Sequence, residues 1–140
     1  MNDLDRRIDA LNEVFDELSE ISDDQTILVE GSKDRMALSL AGVKGKIMTV
    51  QTEGSTLNVA QKLFEEGSGA VILTDWDREG ERIAKELENA LSSLCVEYDI
   101  MIRKKLRSVC GNEIRDIESL PSFYSRLVTE SVRKKEKQWK

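Results

Sequence analysis

The sequence contains no histidine, and its 140 residues include one proline and two cysteines. Without imidazole there can be no Ser-His-Asp or Cys-His catalytic group and no zinc held by histidine. Cys95 and Cys110 form no C-x-x-C pair, so we expect two reduced, mostly buried thiols rather than a zinc or redox site. Any acid–base or metal chemistry must therefore come from carboxylates, lysine, cysteine or tyrosine.

Long apolar runs are missing as well. None approaches the roughly 20 residues that a membrane-spanning helix needs, and the acidic start Met1–Asp5 lacks the apolar core of a signal peptide. We therefore expect a cytoplasmic protein with no membrane contact. At a prior of about 150 residues per domain, the length predicts one domain that folds without a disulfide or metal.

Charge is unevenly distributed around a net value of −6. Residues 1–24 carry nine acids and two bases, whereas residues 103–140 carry five acids and eleven bases. The bases of the second segment form two clusters: Arg103, Lys104, Lys105 and Arg107, then Arg133, Lys134, Lys135, Lys137 and Lys140. Such clusters can contact phosphates, but the alternative is a solvated helix face followed by a frayed tail.

Apolar periodicity predicts an N-terminal helix followed by alternating strands and helices. Between residues 3 and 21 one helical stripe contains Leu4, Ile8, Leu11, Phe15 and Leu18. We expect this helix to pack on the following domain, and a homodimer through it, or a protein partner, is the alternative. Strands are predicted at 26–29, 46–50, 70–74 and 98–102, and helical pieces at 112–118 and 122–134 around Pro121.

This order predicts the α/β fold class: a mainly parallel four-stranded sheet with helices on both faces. We divide the chain into an N-terminal amphipathic helix (1–24), the α/β domain (25–110) and a basic C-terminal helical extension (111–140). In such folds the site lies beyond the carboxyl ends of the strands. Glu30 ends the first strand and Asp75 the third, and a 2-1-3 strand order would bring them together.

The third strand is followed by Asp75, Asp77 and Glu79, three carboxylates within five residues. Unpaired, they would repel one another and raise each other's pKa, and a divalent cation removes that conflict. An all-oxygen donor set favours Mg²⁺, with Mn²⁺ as a substitute, over Zn²⁺. The alternative is structural: one aspartate caps the next helix, and Glu79 suits its positive end.

Two motifs resemble the Toprim domain: Val29-Glu30-Gly31 and, about 45 residues later, Asp75-Trp76-Asp77-Arg78-Glu79-Gly80-Glu81. Type IA topoisomerases, bacterial-type primases, OLD-family nucleases and ribosomal-RNA maturation ribonucleases share this Rossmann-like domain. The resemblance covers residues 26 to about 105, and in size the chain is most similar to stand-alone small Toprim proteins. It implies that Glu30 is a general acid/base, that Asp75 and Asp77 bind metal, and that Glu79 matches a third acid of the topoisomerase form.

Three basic side chains near these motifs are candidate phosphate or nucleic-acid ligands: Lys33, Arg78 and Arg82. For Lys33 the alternative is a solvated lysine, and for the arginines it is ordinary ion pairs with Glu79, Glu81 and Glu86. Trp76 could stack on a base, but we expect it to cover the apolar core. Against the larger relatives, 140 residues leave no room for a topoisomerase gate, and a primase zinc module is missing.

The resemblance implies a Mg²⁺-dependent nuclease or phosphotransferase that acts on nucleic acid, with structured RNA favoured over DNA. The alternative is a non-catalytic Toprim module that binds metal or nucleic acid within a larger complex, which the acidic net charge favours. A receiver-like phospho-acceptor domain, with Lys104 or Lys105 as its lysine, fits the motif spacing poorly.

Overall fold

The computed structural model describes residues 2–21 and 23–139, and its centre is a parallel four-stranded sheet. The strands are β1 (Gln25–Val29), β2 (Ile47–Thr49), β3 (Gly69–Ile72) and β4 (Tyr98–Asp99), in the order β2-β1-β3-β4. All neighbouring strands are parallel. The predicted α/β fold is therefore confirmed, with β1 and β3 side by side as a 2-1-3 order requires.

Helices cover both faces of this sheet. They are α1 (Asp3–Ser19), α2 (Ser32–Leu40), α3 (Val50–Glu53), α4 (Thr56–Glu66), α5 (Arg78–Ser93), α6 (Met101–Cys110) and α7 (Leu120–Trp139). Side chains alternate along a strand, so β1 serves two cores. Ile27 and Val29 join α1, α2, α6 and α7, whereas Leu28 joins α4 and α5. This double burial explains why the strands are continuous apolar runs.

The N-terminal helix packs on its own chain. Asn2 caps α1 by accepting a hydrogen bond from the Asp5 N–H at 2.8 Å. Leu4, Leu11 and Leu18 of the predicted stripe are buried, and α1 contacts α6 and α7. The helix α1 therefore packs on the rest of the chain, as we expect from its apolar stripe.

The fourth strand is shorter than predicted, because a helix follows it at once. Only Tyr98–Asp99 pairs with β3, and the predicted strand residues 101 and 102 open α6. The Asp99 carboxylate accepts a hydrogen bond from the Ile102 N–H at 3.2 Å, which satisfies one donor of the first turn. Ile102, Leu106 and Cys110 then recur at a helical spacing of four and point into the core.

The helix predicted at 112–118 is wrong. Gly111 ends α6 with a positive φ of 57°, and residues 112–118 form turns and irregular chain. Their backbone groups bond to the loop after β3, as described below, and so are unavailable for a helical ladder. The last helix begins at Leu120, which places Pro121 in its first turn, where its missing N–H costs nothing.

The cysteines differ in burial. Cys110 is buried as expected, but Cys95 is exposed in the turn between α5 and β4, so that expectation is wrong for Cys95. Both are free thiols. Within residues 2–21 and 23–139, no helix is long and apolar enough to cross a membrane.

Candidate functional site

Glu30 and Asp75 meet where the chain changes direction across the sheet. From β1 the chain moves to β2 on one side, and it then returns to place β3 on the other side. This is the position at which open α/β sheets bind ligands. The Asp75 N–H donates to Glu30 Oε2 at 2.8 Å, so the two acids are direct neighbours despite 45 intervening positions.

Asp77 begins the helix that follows β3. Its Oδ1 accepts a hydrogen bond from the Gly80 N–H at 2.7 Å, so it is the N-cap of α5. Its charge also raises the pKa of Glu30, behind the larger effect of burial. Asp77 therefore caps α5, which is the structural alternative that the sequence offers, and it also lies close enough to Glu30 to affect the pKa of that carboxyl.

Gly80 lets the first turn of α5 lie directly on the end of β3. A Cβ at this position would be 1.9 Å from the carbonyl oxygen of Asp75, closer than any side chain can come. The Thr74 hydroxyl donates to the Gly80 carbonyl at 2.9 Å across the same contact. The glycine after Glu79 in the motif is thus required by packing, which fixes the direction of the Asp75 backbone.

Asp34 is a fourth acid at this edge that neither motif includes. It is buried, and its Oδ2 accepts from the Gly31 N–H at 3.1 Å, which satisfies a donor at the start of α2. Its charge contributes to the raised pKa values of Glu30 and Asp75. The signal was an acid three residues after Gly31, the position from which a side chain reaches back to the helix start.

The acids at this edge hold protons more tightly than ordinary carboxyls do. Burial is the main cause that raises the pKa of Asp75 to about 8, with the charges of Asp34 and Glu30 as further causes. Burial is also the main reason that the pKa of Glu30 and that of Asp34 are raised. Glu30 and Asp75 are therefore a pair that retains a proton near neutral pH when no cation is bound.

Residues 114–117 run across the loop after β3 and hold it. Asp75 Oδ1 accepts from the Ile117 N–H at 2.9 Å, and the Trp76 N–H donates to the Arg115 carbonyl at 2.9 Å. The Trp76 indole N–H donates to the Ile114 carbonyl at 2.8 Å. Trp76 is 6% exposed, so it covers the core as expected and is unavailable to stack on a base.

Arg103 supports the same loop from the other direction. Its Nε donates to the Thr74 carbonyl at 2.9 Å, and one terminal nitrogen donates to the Asp75 carbonyl at 2.6 Å. That nitrogen also pairs with Glu81 at 3.0 Å. For Arg103 both interpretations of its cluster, phosphate contact and a solvated helix face, are wrong, because the side chain is buried and its donors hold backbone carbonyls. Only the fold shows this, since α6 was not predicted.

Glu79 and Arg82 pair with each other on the exposed side of α5. Arg82 Nε donates to Glu79 Oε2 at 3.1 Å, and Arg82 also bonds to Glu86. The pairing with Arg82 lowers the pKa of Glu79. Arg82 thus forms the ion pairs that the sequence offers as the alternative to phosphate binding. The metal-binding role of Glu79 stays a prediction, and it requires the pair between Glu79 and Arg82 to open.

Lys33 and Arg78 lie beside the acids without neutralising them. Both are exposed in the first turn of a helix, α2 and α5 respectively. Neither forms an ion pair with another residue in the described part of the chain. The role of Lys33 and Arg78 as phosphate ligands stays a prediction.

The donor set fits a hard cation. One oxygen of each of Glu30, Asp75 and Asp77 accepts a backbone N–H, which leaves the second oxygen of each carboxylate to a ligand. As the side chains stand, no three acids or thiols within the described residues are arranged to hold an ion. The second oxygens must therefore turn toward a common point, and oxygen-only ligands of this kind favour Mg²⁺ or Mn²⁺.

Comparisons with known proteins give consistent matches. A family model described as the Toprim domain matches residues 25–106. A UPF0292 protein of Methanosarcina barkeri is 37% identical over 131 residues, which are 91% of this chain and 91% of that protein. A UPF0292 protein of Thermococcus kodakarensis is 32% identical over 85% of this chain and 86% of its own. A solved structure of a putative protein from Aquifex aeolicus has 30% identity and a TM-score of 0.67, covering 78% of this chain and 96% of that chain.

Proposed function

Since the chain belongs to the Toprim domain family, we propose that it uses Mg²⁺, or Mn²⁺ in its place, to cleave or process structured RNA. The family implies a metal-dependent function related to nucleic acid, and Toprim domains generally bind a divalent metal. The observation that carries the proposal is the contact between Glu30 and Asp75 at the switch point of the sheet. Preference for RNA over DNA rests on the resemblance to maturation ribonucleases.

In this proposal Asp75 and Asp77 hold the ion, and Glu79 joins them when it leaves Arg82. When bound, the ion offsets charge on the phosphate and polarises it. Lys33 and Arg78 bind neighbouring phosphate oxygens and orient the backbone of the substrate.

Glu30 acts as the general acid. A water oxygen bonds to phosphorus, the bond between phosphorus and the leaving oxygen breaks, and the Glu30 carboxyl donates its proton to that oxygen. The attacking water releases a proton to solvent, so the charges balance. A carboxyl whose pKa is raised by burial can still hold the proton that this step needs.

A cleavage assay on a labelled structured RNA tests this function. We expect cleavage in Mg²⁺ that stops in EDTA and falls at least ~100-fold in Glu30→Gln and in Asp75→Asn, the range typical of losing an acid–base or charge-stabilising group. Asp9→Asn, which removes one exposed acid of α1, is the matched control and should keep full activity. Full activity in both site variants would exclude the proposal.

The second candidate is a non-catalytic Toprim module that binds metal or nucleic acid within a larger complex. Two observations favour it: no metal-holding trio is already formed within the described residues, and the net charge is −6. A gel shift with the cleavage substrate, with and without Mg²⁺, separates the two. Retarded but intact RNA in Mg²⁺ supports the module, whereas shortened RNA supports the enzyme.

A further inference from the structure

The last two turns of α7 extend beyond the packed part of the molecule. The buried side chains of α7 are Leu120, Phe123, Leu127 and Ser131. From residue 132 to residue 139 every position is exposed. At 1.5 Å per residue this segment is about 12 Å long. Packing in the core therefore does not require the amino acids found in this segment.

The segment is cationic within an acidic chain. Its bases are Arg133, Lys134, Lys135 and Lys137, and its one acid is Glu136, which gives +3 against −6 for the whole chain. None of these four cations forms an ion pair with any described residue, whereas Arg126, two turns earlier, pairs with Glu113 at 2.9 Å. The positive charge is thus local, and only Lys135 of the four shares a groove with acids of α1, Asp5 and Asp9, among the described residues.

An aromatic side chain stands among these cations. Trp139 is 88% exposed, and it lines one shallow groove together with Val132, Lys135 and Glu136. Positions 132, 135 or 136, and 139 recur at three to four residues and so share a helix face. An indole ring beside ammonium groups can stack on a base while the lysines contact the adjacent phosphates.

The charge and composition of this helix face indicate which kind of molecule binds it: a second copy of the segment, a membrane surface or a nucleic acid. A second copy of the segment would bring +3 against +3, which repels. A membrane-surface helix needs a broad apolar face, and this face offers only Val132 and Trp139, with Glu136 between them. A flexible polyanion with accessible base faces complements both the charge and the ring.

We propose that the last two turns of α7 bind single-stranded nucleic acid, with the four cations on its phosphates and Trp139 stacked on a base. The use of this binding site rests on the proposed function, because the bound strand would be the single-stranded flank of the RNA that the Toprim site cleaves. The binding itself needs no metal and no cleavage.

The test measures binding of a fluorescein-labelled oligouridylate of about 20 nucleotides by fluorescence anisotropy, in EDTA and at several KCl concentrations. Replacing Arg133, Lys134, Lys135 and Lys137 by alanine should weaken binding more than about tenfold and reduce the log–log salt slope by roughly 3, at about 0.7 per lost phosphate contact. The matched control replaces Arg6, Lys44, Lys62 and Lys85 by alanine, which are also one arginine and three lysines on the surface and lie outside both basic clusters. We expect its affinity to stay within about threefold of wild type.

Trp139 tests the stacking contact separately. Trp139→Ala should weaken binding of the oligouridylate about tenfold, while Trp139→Phe retains most of the affinity and binding of a duplex RNA changes little. The proposal is overturned if wild type does not bind, if the control variant loses as much affinity as the α7 variant, or if Trp139→Ala binds normally. If the protein binds the oligouridylate in EDTA but does not cleave RNA in Mg²⁺, the nuclease is rejected and the α7 binding site is kept. If it cleaves RNA but the α7 variants bind the oligouridylate as wild type does, the α7 site is rejected and the nuclease is kept.

Discussion

The strand-to-helix junctions that follow β1 and β3 supply the same acidic site but are stabilised differently. After β1, the helix begins within two residues, and Asp34 from its first turn satisfies the Gly31 N–H. After β3, five residues intervene before α5, and this loop is held by Arg103 and by residues 114–117. The first junction is held by its own capping acid and by the Gln51 N–H, which donates to the Glu30 carbonyl at 3.1 Å, whereas the second is held by Arg103 and residues 114–117, about 30 to 40 positions away.

This difference predicts how each junction responds to mutation. Changes at the first junction should cost less stability, because a capping acid from its own helix satisfies the Gly31 N–H. Changes at the second should affect global stability, because its contacts join β3, α5, α6 and the segment before α7.

The largest difference is expected between the two motif glycines. A Cβ at Gly80 meets backbone at 1.9 Å, whereas a Cβ at Gly31 meets the Gln51 side-chain oxygen at 2.7 Å, and Gln51 is exposed and can turn away. Gly80→Ala should cost at least about 3 kcal/mol or prevent folding, and Gly31→Ala less than about 1 kcal/mol. Urea unfolding measures both, and equal losses would contradict this description of the second junction.

The next effect concerns the arginines that contact Glu81. Arg103→Met leaves the carbonyls of Thr74 and Asp75 without their donor in a buried setting, which should cost about 2–3 kcal/mol. Arg107 bonds the same carboxylate at 2.9 Å but its side chain is 60% exposed, so Arg107→Met should cost less than about 1 kcal/mol. Thermal unfolding of the two variants compares them; a similar Tm for both would show that Arg103 does not hold the loop.

The capping acids should give smaller losses. Asp77→Ala removes the bond to the Gly80 N–H and should cost about 1 kcal/mol, while Asp77→Asn keeps a good cap and should stay within about 0.5 kcal/mol of wild type. Asp34→Ala should cost less than Asp77→Ala, because the Asp34 charge raises the pKa of both Glu30 and Asp75, whereas the Asp77 charge contributes to that of Glu30. Stabilisation by Mg²⁺ should be lost in Asp77→Asn; if it persists, Asp77 is a cap alone.

The smallest effect is on the pH dependence of stability without metal. The pKa of Asp75 is raised to about 8 by burial, so the native state keeps a proton that the unfolded chain loses near pH 4. Between these pH values the native state binds more protons, and the free energy of unfolding falls as pH rises. In Asp75→Asn this fall should be weaker, by an amount that solvent screening limits. An unchanged slope in Tm against pH would contradict the raised pKa.

Much of the first junction and of the strand order could be predicted from the sequence, because the signals are local. Continuous apolar runs predicted the parallel strands, and the motif around Glu30 and Asp75 predicted their meeting. Asp34 was recognisable as a capping acid but not as a member of the site, since only the sheet order shows that it faces Asp75.

The supports of the second junction could not be predicted. The run from Tyr98 to Ile102 has the β-branched and aromatic pattern of a strand, which hid the start of α6 and with it the buried position of Arg103. Residues 112–118 contain no glycine or proline, so their sequence favours a helix, but their backbone groups bond to Trp76 and Asp75 instead. Long-range hydrogen bonds of this kind leave no periodicity in the sequence.

The central claim is that the carboxyl ends of β1 and β3 form one metal site for phosphoryl transfer. A crystal soaked in Mn²⁺ tests it most directly through the anomalous signal of the ion. We predict a peak beside Glu30 with the carboxylate oxygens of Asp75 and Asp77 as its ligands, and we predict that the peak disappears in Asp75→Asn. No peak at this edge in millimolar Mn²⁺, or a peak that persists unchanged in Asp75→Asn, would contradict it.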